Sequence, residues 1–303
     1  MSDNAARKIA MNNYRYTNLT AALRDKASPL RQLFDSRFPN TKVVQAQYRA
    51  EEPELRVDGG SANPGTLGAA FDFAMRFGIK SQYDPTVARN AFESAPGLVD
   101  EIDAVIIAAQ MAAGLGDRVT VQRASWAFAL LTEVYRAGLQ PGSPLVELLE
   151  ARSFSAQRLL GLASDDALRQ LAELDEVARS SLLPRLDGPY VLGPTFDGSA
   201  LCKADADVIA GGLLLDFKTS IGTKNARTGS RSDRLDLLDL YQIVAYALFD
   251  RSDSYAIDRV GIYSARFGHL VSWDLQVLLD TLAGEHTPVE NARAEVWMAL
   301  GGS

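Results

Sequence analysis

The clearest alternation of apolar and polar positions lies in "ADADVIAGGLLLDFKTS", residues 204–220, where two apolar runs flank a Gly-Gly pair. A two-residue turn of this kind joins two strands into a tight hairpin. With Gly211 and Gly212 as the turn, Ile209 faces Leu214, Asp207 faces Asp216 and Asp205 faces Lys218. Side chains alternate between faces along a strand. One face therefore carries Asp205, Asp207, Ile209, Leu214, Asp216 and Lys218. The other carries Ala206, Val208, Leu213, Leu215 and Phe217, and is predicted to be core.

The helical period dominates the first two thirds of the chain. Residues 17–37 read as amphipathic helix, and "SANPGTLGAAFDFAMRFGIK" gives a helix start at Asn63-Pro64-Gly65-Thr66, with Asp72 between two phenylalanines. From about 85 to 185 the Leu/Ala-rich pattern is helical almost throughout. The last third changes period. "TFDGSALCKADADVIA" and "LLLDFKTS" read as strands, "DRLDLLDLYQIVAYALFD" as an apolar helix, "IDRVGIYSAR" and "HLVSWDL" as a second hairpin around Phe267-Gly268, and two helical pieces follow. This order predicts an α/β (α+β) fold with one mixed sheet. The expected organisation is an N-terminal helical part over 1–90 that contributes a core helix at 60–80, a helical insertion over 91–188, and a core over 189–303, all in one compact unit.

Composition narrows the functions. With 303 residues the chain can bury a substantial core. No apolar run approaches a membrane span, and the opening "MSDNAARKIAMNNYRYT" lacks a secretory signal's apolar centre, which points to the cytoplasm and away from membranes. One cysteine, Cys202, excludes an intrachain disulfide and a Cys-rich zinc site. There are two histidines, and no nucleophile elbow, phosphate-binding P-loop or dinucleotide fingerprint. The net charge of −7 gives no global attraction to nucleic acid, so any phosphate-binding surface must be local.

The charged hairpin face is therefore the main chemical clue. Like charges directly opposed across a hairpin are destabilising, and a hard divalent cation with oxygen ligands relieves them. The plainer reading is a solvated face on which Asp205 and Lys218 make an ordinary cross-strand pair.

Taken together, Asp207, Asp216-Phe217-Lys218 and Gln242-Ile243-Val244-Ala245-Tyr246 resemble the PD-(D/E)XK nuclease superfamily in its RecB-type exonuclease branch. In that family an acid on one strand precedes a D/E-x-K strand, and Q-x-x-x-Y follows on a helix. Gly68-Ala69-Ala70-Phe71-Asp72 has the spacing of the family's G-x-x-x-H helix, with Asp in the His position. The resemblance covers residues 195–265 and extends more faintly to 60–76. It implies a restriction-endonuclease-like core and a metal-dependent deoxyribonuclease of repair, phage biology or antiviral defence. Its substrate would be single- or double-stranded DNA, and a protein partner could supply unwinding or targeting. It further implies Mg²⁺ or Mn²⁺ held by Asp207, Asp216 and the Phe217 carbonyl. Asp72 is a candidate third ligand, with Asp205, Glu173 and Glu176 as alternatives. Lys218 would orient or deprotonate the attacking water or steady developing charge, and Gln242 and Tyr246, four residues apart, would share one helix face.

After the D-x-K strand, "IGTKNARTGSRSDR" carries Lys224, Arg227, Arg231 and Arg234 against the single acid Asp233. It is predicted to be a flexible basic loop able to track a nucleic-acid backbone. The competing function is a non-catalytic module of the same fold that binds nucleic acid or a protein.

Overall fold

The computed structural model describes residues 16–51 and 53–302. Among the described residues, the first helices are α1 (Leu19–Arg24), α2 (Pro29–Arg37) and α3 (Thr41–Tyr48). The stretch 17–37 is thus two helices, not one. The Asp25 carboxylate accepts from the Ala27 N–H in the intervening turn, and Pro29, with no N–H to donate, opens α2.

The helical region follows as α4 (Pro64–Ile79), α5 (Thr86–Arg89), α6 (Pro96–Leu115), α7 (Arg118–Ala137), α8 (Pro144–Glu150), α9 (Ala156–Leu160) and α10 (Asp165–Ser181). The predicted start of α4 is as built. Asn63 Oδ1 accepts from the N–H groups of Gly65 and Thr66, and Pro64 opens the first turn.

Seven strands follow, with one helix among them and two after them: β1 (Tyr190–Leu192), β2 (Val208–Ala210), β3 (Leu213–Lys218), β4 (Thr223–Lys224), β5 (Arg231–Ser232), α11 (Leu237–Phe249), β6 (Arg259–Ser264), β7 (His269–Asp274), α12 (Leu275–Ala283) and α13 (Val289–Ala299). Five strands make one mixed sheet in the order β1-β2-β3-β6-β7. β3 and β6 are parallel, joined through α11, and the other neighbours are antiparallel. The fold class is mixed α/β, as the element order implied.

Two expectations change. The stretch 195–207 is not strand. It forms a 3₁₀ turn over Asp197–Ala200, in which Ser199 Oγ accepts from the Phe196 N–H and donates to the Ala204 carbonyl, so only Val208–Ala210 joins the ladder. The stretch 221–234 is a small hairpin, β4-β5, and not a structureless loop. Asn225 organises its turn, its side chain accepting from the N–H groups of Arg227 and Thr228.

Both faces of the main sheet are core. Val208, Leu213 and Leu215 pack against α4, α6, α7 and α10. Ile209, Leu214, Val260 and Ile262 pack against α1–α3 and α11–α13. The hairpin face that carries Asp216 and Lys218 is therefore covered by α11 and is not a water-exposed surface. Such two-sided burial is usual where parallel pairing brings a crossover helix over the sheet.

Candidate functional site

The turn at Gly211 and Gly212 has φ of 52° and 82°, the left-handed pair that a two-residue hairpin needs. The ladder pairs Ile209 with Leu214 and Val208 with Leu215, which is the register read from the sequence. It stops at Val208. One residue earlier, Asp207 leaves the ladder and its Oδ2 accepts the Phe217 N–H at 2.5 Å. Asp207 is thus fixed beside β3 by a backbone bond, next to Asp216.

Lys218 is the hub. Its Nζ lies 2.7 Å from Asp216 Oδ2 and 2.9 Å from Asp239 Oδ1. It also donates to Gln242 Oε1 at 2.9 Å, and Gln242 Nε2 donates to Tyr246 Oη at 2.6 Å. Asp239, Gln242 and Tyr246 follow at spacings of three and four on α11, so they share the face that looks onto β3. Tyr246 is buried and stacks on Phe196.

The electrostatics follow from that burial. Burial drives the Asp207 carboxyl well above its ordinary range, and the nearby charges of Asp72 and Asp216 add to the effect. Burial also raises Asp216, with Lys218 opposing it. Burial pulls the Lys218 ammonium down, but Asp216 and Asp239 outweigh it and hold the amine above its usual range. The two flanking carboxylates thus favour the ammonium form of Lys218.

The other acids are engaged elsewhere. Asp72 lies on α4 one turn after Gly68, where a Cβ would come within 3.2 Å of Thr219 Oγ1, so the glycine lets α4 approach the end of β3. Both Asp72 oxygens are taken by Arg76, at 2.8 Å from Nε and 2.5 Å from Nη2, and Arg76 Nη1 donates to Tyr83 Oη. Asp205 is held by Arg136 of α7 at 2.8 and 3.0 Å. Glu173 pairs with Arg169 and Glu176 with Arg118, both on partly or fully exposed parts of α10. Phe217 turns its ring to the opposite side of the sheet, against Phe71 and Tyr263.

Asp207 and Asp216 are left as the pair able to receive a cation. Asp216 Oδ2 is buried and has no hydrogen-bond partner of good geometry, although the Lys218 ammonium stands close to it. A buried carboxylate whose close neighbour is a single ammonium, beside a second, mutually repelling carboxylate, suits a hard divalent ion. Among the described residues no three His, Cys, Asp or Glu side chains converge as a ready cage. Mg²⁺ is commonly held by one or two carboxylates with water and phosphate oxygens, so the residues present fit it.

The β4-β5 hairpin rises directly from the end of β3 and leads back to α11. Lys224, Arg227 and Arg234 are exposed, and Arg231 is half-buried with Nη1 on the Gly222 carbonyl. Its one acid, Asp233, points inward and is bonded by Tyr48 and Ser264. The outward charge of the hairpin is therefore wholly positive.

Sequence reading missed Asp239 and Arg136; the i+4 pairing of Asp72 with Arg76, the plainer reading of Asp72, is the one the structure shows. Asp239 was legible, three residues before Gln242 on the same helix face. Arg136 is brought by the tertiary fold. Among the described residues no helix is long and apolar enough to cross a membrane. Compared with protein-family models, curated proteins and solved structures, the chain matches none.

Proposed function

We propose that this protein is a metal-dependent nuclease that hydrolyses phosphodiester bonds in DNA, with the restriction-endonuclease-like core that its motifs resemble. The observation that carries the reading is the contact of Lys218 with Asp216, Asp239 and Gln242, with Asp207 fixed alongside. Motif residues from just before β2, from β3 and from α11 lie close together.

Asp207 and Asp216 would hold the ion. A bound Mg²⁺ or Mn²⁺ supplies a polarised phosphate and an activated water. Lys218 sets a permanent positive charge where the phosphoryl oxygens gain negative charge. Asp239 and Gln242 hold that ammonium in place, and Tyr246 holds Gln242. The positive β4-β5 hairpin lies beside this cluster and would track the backbone of single- or double-stranded DNA.

A second reading has its own support. Asp72 and Asp205 are each locked to an arginine, which leaves Asp207 and Asp216 as the pair that would face a metal. That favours a module of the same fold that binds nucleic acid, or a protein partner, without cutting.

The deciding experiment is incubation of the protein with labelled single- and double-stranded DNA, linear and circular, in EDTA, Mg²⁺ or Mn²⁺, beside Asp216→Asn. Metal-dependent cutting that is lost in the variant is the expected result. Retained DNA binding with no cutting under either metal would replace the nuclease reading with the binding one.

A further inference from the structure

A second polar cluster lies in the same row of the sheet. Lys218, Ser264 and His269 are register partners across β3, β6 and β7. At the usual strand spacing His269 is about 10 Å from Lys218. The His269 side chain is 3% exposed. Its Nδ1 lies 3.1 Å from Asp233 Oδ2. Asp233 is in turn fixed by hydrogen bonds from Tyr48 Oη at 2.7 Å and Ser264 Oγ at 3.0 Å, and the Tyr48 ring stands edge-on to the imidazole.

In the tautomer that carries its proton on Nδ1, toward Asp233, the imidazole presents a lone pair at Nε2. Among the described residues Nε2 is buried without a hydrogen-bond partner. His269 lines a cleft of about 350 Å³ together with Glu51, Glu54, Arg56 and Phe267. Glu51 Oε2 stands 3.4 Å from Nε2. Two ligand atoms bound about 2.0–2.1 Å from a tetrahedral Zn²⁺ lie about 3.3–3.4 Å apart. A carboxylate behind the far nitrogen of an imidazole is the usual support of a metal-bound histidine.

We propose that His269 Nε2 and the Glu51 carboxylate form an open site for a divalent transition-metal ion of the zinc class, oriented by Asp233. The N/O donor pair suits Zn²⁺ or Co²⁺ and not Mg²⁺. Two protein ligands leave positions for water or for a ligand entering the cleft. The ion ties the loop after α3 to the start of β7. This site is separate from Asp207 and Asp216 and does not depend on the nuclease reading.

The test uses the full chain carrying Asp207→Asn and Asp216→Asn, so that the other acidic pair takes up no ion. Zn²⁺ is titrated calorimetrically, and Co²⁺ by its visible absorption. One equivalent of Zn²⁺ is expected, with a Co²⁺ spectrum that shows nitrogen and oxygen ligands. Adding Glu51→Gln or His269→Gln should weaken Zn²⁺ at least tenfold and abolish the Co²⁺ bands. Asp233→Asn should weaken Zn²⁺ by roughly 10- to 100-fold, as loss of such supports does. No Zn²⁺ uptake, or Zn²⁺ bound as tightly with Glu51→Gln as without it, overturns the proposal. Glu51 is 73% exposed, so this variant keeps the fold and decides the matter even if His269→Gln does not fold.

Discussion

Lys218 Nζ donates to Gln242 Oε1 at 2.9 Å, and this one bond joins the end of β3 to the middle of α11. The same ammonium is shared with Asp216 and Asp239. It bridges two carboxylates from two elements, so its loss has structural as well as chemical consequences.

Lys218→Met should therefore destabilise the fold as well as abolish the proposed cleavage. Removing one partner of a buried charge pair costs ~3–5 kcal/mol. Lys218 keeps 24% of its side-chain area exposed, which places the loss near ~3 kcal/mol. Chemical denaturation of the two proteins checks this, and an unchanged midpoint would remove Lys218 from its place as hub.

Asp207→Asn should act in the opposite direction on stability. The folded Asp207 carboxyl titrates above its unfolded value because of burial and the charges of Asp72 and Asp216. The folded state therefore binds the proton more tightly, and its contribution falls as pH rises from the ordinary carboxylate range through the raised folded value. Asn keeps an oxygen for the Phe217 N–H and carries no charge. The variant should melt higher than wild type at pH 8, with the gap closing as pH falls toward 4. A gap that widens on acidification would contradict this sign.

Divalent cations should stabilise the wild-type chain by mass action. At 100 times its dissociation constant, a bound Mg²⁺ or Mn²⁺ adds about 2.7 kcal/mol. Melting curves in EDTA and in saturating Mg²⁺ should separate for wild type and coincide for Asp216→Asn. A shift of equal size in both proteins would place the ion elsewhere.

Lys224→Ala with Arg227→Ala should weaken DNA binding uniformly across sequences. Loss of two phosphate contacts lowers the slope of log K against log salt by roughly 1.4–1.8 units. Fluorescence anisotropy from 50 to 200 mM salt measures it, and an unaltered slope would take the β4-β5 hairpin out of the substrate path.

The sequence was most informative where local chemistry decides the structure. The Gly211-Gly212 turn set the register, Asn63-Pro64 set the start of α4, and Gln242 and Tyr246 lay a helical turn apart on the expected face. It was least informative where tertiary contacts decide. Polar residues on β3 read equally well as a wet surface until α11 is laid over them. β1, with three residues, is too short to show a period, and the stretch before β2 alternates like a strand yet turns through Ser199. The pairing of Asp205 with Arg136 joins residues 69 positions apart and has no sequence signature.

The β4-β5 hairpin leaves β3 right after Lys218 and re-enters the fold at α11, which carries Asp239 and Gln242. The covalent chain thus makes it a yoke across the two arms that grip the ammonium. A ligand held by its outward Lys224, Arg227 and Arg234 would therefore sit on a segment anchored at one end to the strand and at the other to the helix that meet at this ammonium.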